Sequence, residues 1–243
     1  MMRKQVLFCF PYAGGSGTIF HHWRKHLHPS IEIYPIDYAG RGKRFHEGFY
    51  RNMNEAIDDL LDIVHPFISK SHYSFFGHSL GGLIAFELCK KVAIESFRPP
   101  EHLFLSGIKT PNQLRDKKIH HLPEKEFKEE LLELNGTPLE VFNNPELMKL
   151  FIPILRSDFK LIEEYEGDQV RAKINTSITA LYGDKDNMSR NDMMKWRDFT
   201  AKDSRIICYS GGHFFIREHY KEIIKLINCT LAERGDIYEY SNL

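Results

Sequence analysis

The stretch Tyr73-Ser74-Phe75-Phe76-Gly77-His78-Ser79-Leu80-Gly81-Gly82 restricts the folds open to this chain more than any other. It fits G-x-S-x-G, with Gly77 and Gly81 flanking Ser79. The apolar, aromatic run before it predicts a buried strand. Leu80, Leu83, Ile84, Leu88 and Val92 follow at helical spacing and predict one face of a helix. Strand, sharp turn and helix form the setting of a nucleophile elbow, in which a serine is lifted onto a strained turn. Glycines are needed beside such a serine because a Cβ there would collide with the neighbouring strand and helix. The helix also directs its positive N-terminal end at negative charge developing near Ser79.

The rest of the chain supplies a frame for that turn. Gln5 to Phe10, nearly all apolar, predicts a central strand, and Ile31 to Ile36 a second. Further strands are predicted at His102 to Ser106, Ser177 to Gly183 and Arg205 to Tyr209. Helical periodicity falls between them, around Phe20, Trp23 and Leu27, over Met53 to Ser69, around Met193, Met194 and Trp196, and in a final amphipathic helix with Ile216, Tyr220, Ile223, Ile224 and Ile227. Alternation of this kind predicts a single α/β domain over residues 1–243, a mostly parallel sheet with helices on both faces. Ligands of such sheets sit beyond the carboxyl ends of the strands. From about 110 to 167 the strands stop, and a charged, helical segment divided by Pro123, Pro138, Pro145 and Pro153 predicts a lid insertion over that edge.

Composition narrows the classes further. Lysine plus arginine, 33, equals aspartate plus glutamate, 33, so no net charge points to nucleic acid or to a membrane surface. No apolar run approaches the roughly 20 residues a spanning helix needs. The basic start at Arg3-Lys4 precedes too short an apolar stretch for a signal peptide, which predicts a cytoplasmic protein. Four cysteines (Cys9, Cys89, Cys208, Cys229) without paired spacing read as small buried hydrophobes in a reducing compartment. His21-His22 and His120-His121 lack metal-ligand spacing, so neither metal nor cofactor is expected.

The glycine-rich loop Pro11-Tyr12-Ala13-Gly14-Gly15-Ser16-Gly17-Thr18 is not a phosphate loop. It has no Gly-Lys-Ser/Thr ending, and Phe20 stands where the third glycine of G-x-G-x-x-G belongs. Its backbone N–H groups read instead as half of an oxyanion hole, the other half being the Leu80 N–H after the nucleophile. Ser79, an acid after the next-to-last strand and His213 after the last give the order Ser…Asp…His of α/β-hydrolases. The histidine takes the serine proton, and the carboxylate holds the histidine tautomer. Asp184 and Asp186 both qualify as the acid. His78 is read as a packing residue pointing away from Ser79. The turn Asp37 to Arg44 reads either as a solvated surface turn or as a cradle for an anionic group.

At this point the chain resembles the external (type II) thioesterases of nonribosomal peptide and polyketide synthesis. The likeness rests on Phe10-Pro11-Tyr12-Ala13-Gly14-Gly15, Gly40-Arg41 with Arg44, and Gly77-His78-Ser79-Leu80-Gly81-Gly82. It continues through His121-Leu122-Pro123, Gly136-Thr137-Pro138 and Pro153-Ile154-Leu155-Arg156-Ser157-Asp158-Phe159. It closes with Gly183-Asp184-Lys185-Asp186 and Gly211-Gly212-His213-Phe214-Phe215. The resemblance implies that Asp186 is the acid and that the Ala13 and Leu80 N–H groups form the oxyanion hole. In many relatives a proline follows that aspartate; here Asn187 does. It also implies removal of acyl or aminoacyl groups from the phosphopantetheine arm of acyl or peptidyl carrier proteins. A monomer is the default expectation. Competing readings are a medium- or long-chain fatty acyl thioesterase, a general ester hydrolase, an acyl transferase and a non-catalytic carrier-binding protein. Arg41, Lys43, Arg44, Arg115, Lys117 and Lys118 are candidates for docking an acidic carrier.

Overall fold

The computed structural model describes residues 4–114, 117–134, 142, 144–167 and 173–232. Expectations for Arg115 and the Gly136-Thr137-Pro138 run lie outside the described residues. Six strands, β1 (Gln5–Phe10), β2 (Ile31–Pro35), β3 (His72–His78), β4 (His102–Ser106), β5 (Ser177–Gly183) and β6 (Ser204–Tyr209), pair in the order β2-β1-β3-β4-β5-β6. Every pairing is parallel. All the strands therefore end on one edge, and the loops leaving that edge carry the candidate site.

Side-chain alternation in β1 shows why the strand is nearly all apolar. Val6, Phe8 and Phe10 enter the core on one face, with residues of α1 (Met53–Ile68) and α2 (Leu80–Ile94). Leu7 and Cys9 enter the core on the other, with Phe20, Trp23 and the C-terminal helix that contributes Ile223, Ile224 and Ile227. A strand covered on both faces has no polar side to show.

Gly17–Lys25, predicted helical from Phe20, Trp23 and Leu27, is a 3-10 helix. Its tighter turn still brings Phe20 and Trp23, three residues apart, onto one buried face. Between β4 and β5 the described residues include a short 3-10 turn at Pro111–Gln113, α3 (Glu124–Glu133) and α4 (Pro145–Glu163). Phe127 and Leu131 of α3 join Met148, Ile152 and Leu155 of α4 in a small core of their own. Pro153 was expected to divide this segment, yet α4 runs through it. Its ring faces outward, where water can take the carbonyl bond that proline leaves unmade. Pro145 instead opens α4, with Asn144 capping the Glu146 and Leu147 N–H groups.

The cysteines divide. Cys9 and Cys89 are buried as expected, but Cys208 and Cys229 are exposed, so the reading of all four as core hydrophobes is corrected. Cys208 lies on β6, the edge strand of the described sheet.

Candidate active site

Ser79 joins β3 to α2 with φ 55° and ψ −120°, outside the regions that a serine adopts freely. The glycines explain how the turn fits. A Cβ on Gly77 would sit 2.0 Å from the Gly81 carbonyl oxygen, and one on Gly81 would sit 2.1 Å from that of Phe10. The elbow thus presses against its own helix on one side and against the end of β1 on the other. The Ser79 N–H donates to the Ser106 carbonyl at 2.8 Å, which ties the turn to β4 as well.

Strands β5 and β6 deliver the partners. Gly183 meets the His213 loop so closely that a Cβ would lie 2.4 Å from the Gly211 oxygen. The two candidate acids then part company. Asp184 Oδ1 accepts the Gly211 N–H at 2.8 Å and so holds the backbone of the histidine loop. Asp186 Oδ2 accepts from His213 Nδ1 at 2.8 Å, with its side chain 6% exposed and that of His213 28% exposed. That bond puts the Nδ1 proton toward Asp186 and leaves Nε2 as the basic nitrogen. Ser79, Asp186 and His213 line one cavity of about 850 Å³, together with Tyr12 and Ala13.

The loop after β1 closes the other side. Tyr12 to Gly15 form a turn in which the Gly15 N–H donates to the Tyr12 oxygen at 2.8 Å. Gly14 has φ 78°, as the third residue of a type II turn requires. The Gly14 N–H is taken by Asp158 Oδ2 at 2.7 Å. Among the described residues the Ala13 N–H has no acceptor within the chain. Leu80 opens α2, where a helix leaves its first N–H groups without internal partners. Both expected oxyanion donors thus have their N–H groups unspent.

The chain matches the thioesterase domain family over residues 5–231. It belongs to the thioesterase family. It is 34% identical over 231 residues to the thioesterase PikA5 of Streptomyces venezuelae, covering 94% of this chain and 82% of that one. Among solved structures it is similar to ClbQ from the colibactin NRPS/PKS pathway, with TM-score 0.89, 34% identity and coverage of 94% and 97% of the two chains. It is also similar to the type II thioesterase BorB from the borrelidin biosynthetic cluster, with TM-score 0.84, 30% identity and coverage of 94% and 93%. The fold is accordingly the α/β-hydrolase fold.

Three side chains of this thioesterase differ in part from expectation. His78 is a packing residue, as read, but it packs beneath the histidine loop. Its ring lies 5.2 Å from that of His213, and its Nδ1 is 2.8 Å from Ser106 Oγ. Burial, and then the neighbouring His213, hold its pKa well below the ordinary histidine value. It is therefore neutral beside the site.

Arg41 and Arg44 are not the exposed docking cations expected. Arg41 is 4% exposed and pairs with Asp158, which is fully buried. Burial alone would lower the Arg41 pKa, but the Asp158 charge and hydrogen bonds outweigh it, and the guanidinium stays charged. Arg44 is spent on Glu47 and Asp59. Nor is their turn an anion cradle. Asp37 accepts the Lys43 N–H at 3.0 Å and the Gly17 N–H at 2.7 Å, so part of its backbone is already satisfied by a carboxylate. Lys117 pairs with Glu130 at 2.5 Å, while Lys43 and Lys118 are exposed.

Among the described residues no cluster of three or more His, Cys, Asp or Glu is arranged to hold a metal, and no helix is long and apolar enough to cross a membrane.

Proposed function

We propose that this chain is a serine thioesterase that hydrolyses acyl or aminoacyl thioesters on the phosphopantetheine arm of carrier proteins. Its role would be to clear wrongly loaded carriers in nonribosomal peptide or polyketide synthesis. The observation that carries the reading is the strained Ser79 sharing a cavity with a histidine whose Nδ1 is held by Asp186. The names of its relatives supply the setting, since PikA5 is called a thioesterase and BorB a type II thioesterase of a biosynthetic cluster.

The chemistry follows from roles. His213 Nε2 takes the Ser79 proton as Oγ attacks the thioester carbonyl. The Ala13 and Leu80 N–H groups receive the oxyanion, and losing one such donor costs about 100- to 1000-fold in rate. The carbon–sulfur bond breaks and His213 returns the proton to the departing thiol. A water then gives a proton to His213 and attacks the acyl-serine; His213 returns that proton to Ser79 Oγ as the acyl–oxygen bond breaks and the acid leaves. Asp186 holds the imidazolium throughout.

The acyl group enters a cavity walled by Leu131 of α3 and by Leu155, Phe159 and Ile162 of α4, with Glu133 and Glu163 also on its lining, so that these helices act as a lid with a largely apolar inner face. That wall also suits an unbranched aliphatic chain, the substrate of the medium-chain reading. The test compares one short acyl group on a phosphopantetheinylated carrier protein with the same acyl on coenzyme A, with Ser79→Ala as control. Carrier preference abolished in the variant is the expected result. Equal rates on both substrates would remove carrier recognition. Steadily rising kcat/KM up to long acyl chains would favour the medium- or long-chain reading over editing.

A further inference from the structure

The steps above do not use Asp158 or Arg41, yet these two are among the most deeply buried charged groups of the chain. Both Asp158 oxygens face the guanidinium, Oδ1 accepting from Nη2 at 2.5 Å and Oδ2 from Nη1. A buried ion pair adds little stability over a well-packed apolar pair, so its position is more telling than its strength. Asp158 sits on α4, Arg41 follows β2, and the third member of the cluster is the Gly14 N–H of the loop after β1.

The loop is held at three points. Asp158 accepts the Gly14 N–H. Leu155, one turn earlier on α4, packs so tightly that a Gly14 Cβ would lie 2.6 Å from its Cδ2. Tyr38 donates its hydroxyl to the Pro11 oxygen at 2.8 Å, and the Arg41 guanidinium lies 5.1 Å from the Tyr38 ring centre. Burial raises the Tyr38 pKa well above the ordinary tyrosine value, so the hydroxyl keeps the proton it donates. The peptide between Ala13 and Gly14 is the one that rotates when a type II turn converts to type I. An acceptor fixed on one side of that peptide selects one of the two orientations.

We propose that Asp158 is a positioning residue for the oxyanion hole: by holding the Gly14 N–H it fixes the turn that presents the Ala13 N–H, and Arg41 holds Asp158 in place. The helix that walls the acyl cavity and the loop that receives the oxyanion are then one mechanical unit. The proposal rests on the serine thioesterase reading and on Ala13 as an oxyanion donor.

Asp158→Asn leaves Arg41 buried without its anion and can lose the fold, so the decisive variant is Arg41→Met/Asp158→Leu, which replaces the pair with apolar groups of similar size. Fluorophosphonate titration of Ser79 gives the folded, competent fraction. Per competent site, kcat on an acyl carrier is expected to fall about 10- to 100-fold while KM stays within about threefold, the signature of a group that acts in the transition state. Affinity for an alkyl trifluoromethyl ketone, which forms a tetrahedral oxyanion on Ser79, should fall by the same factor. Arg41→Lys, which keeps a cation beside Asp158, should lose less than Asp158→Asn. Wild-type kcat and ketone affinity per competent site in the double variant would overturn the assignment, because a purely structural pair changes only the competent fraction. An active Ser79→Ala enzyme would instead sink the serine reading itself, whatever the double variant does.

Discussion

The Asn187 backbone N–H donates to Asp186 Oδ1 at 2.7 Å. The other carboxylate oxygen, Oδ2, accepts from His213 Nδ1, so the two oxygens have separate duties and the carboxylate cannot swing freely. The resemblance places a proline after this aspartate in many relatives, and proline has no N–H to give. This chain therefore uses a hydrogen bond where a rigid ring would otherwise shape the loop. Asn187→Pro should lower kcat by about 10-fold, the worth of one hydrogen bond to a charged group, with KM little changed. Asn187→Ala keeps the N–H and should stay within about threefold of the parent. If alanine lowers kcat as much as proline does, the side chain and not the amide is responsible.

Asp184 and Asp186 are two residues apart, and their substitutions should separate by orders of magnitude. Asp186→Asn presents an amide to His213 Nδ1 and favours the wrong tautomer, which is expected to cost about 10,000-fold in kcat. Asp184→Asn keeps an oxygen for the Gly211 N–H and should cost no more than about 10-fold, through looser placement of the histidine loop. Steady-state kinetics on one acyl-carrier substrate decide the matter. Comparable losses in the two variants would remove Asp186 from its assigned role.

The contrast between these neighbours marks where sequence reading stopped. Strands β1, β4 and β5 fall on the residues predicted, because runs buried on both faces are largely apolar and leave a clear trace. The glycines of the elbow were legible for a similar reason, since each fills a place where a Cβ meets backbone. Spacing alone could not choose between Asp184 and Asp186. That choice depends on which side chain the β5 loop turns toward β6, and a resemblance supplied it. The Arg41–Asp158 pair left still less trace. Its members are 117 positions apart, and an arginine beside Lys43 and Arg44 looks like part of a solvated cluster until the helix from the far segment covers it.

Close backbone approach also predicts which glycines tolerate a methyl group. Gly81→Ala would drive Cβ to 2.1 Å from the Phe10 carbonyl, so β1 and the elbow must separate. We expect at least ~4 kcal/mol of destabilisation, lowering Tm by about 10 °C or preventing soluble expression. Gly48 has nothing within 4 Å of its would-be Cβ, and Gly48→Ala should leave Tm within about 2 °C. Differential scanning calorimetry of both variants is the check. A Gly81→Ala protein with parental Tm would mean that the elbow is not wedged between β1 and α2 as described.

Acid sensitivity should come partly from histidines that the fold keeps neutral. Burial, and then the nearby Arg205, hold His102 at about 4, below the ordinary histidine value, and His78 is depressed as well. Between the unfolded value near 6.5 and the folded one, the unfolded chain binds a proton that the folded chain does not. Stability is therefore full above about pH 6.5 and falls as pH drops toward 4. For His102 alone the loss across that window is at most about 3 kcal/mol. His102→Gln can keep a hydrogen bond to Thr179 Oγ1, now 2.8 Å from the ring Nε2, without the titration. Urea unfolding of parent and variant at about pH 7 and about pH 4.5 should show the gap in stability shifting toward the variant at the acid end. Parallel pH profiles would show that His102 is protonated as readily in the folded protein as in the unfolded chain.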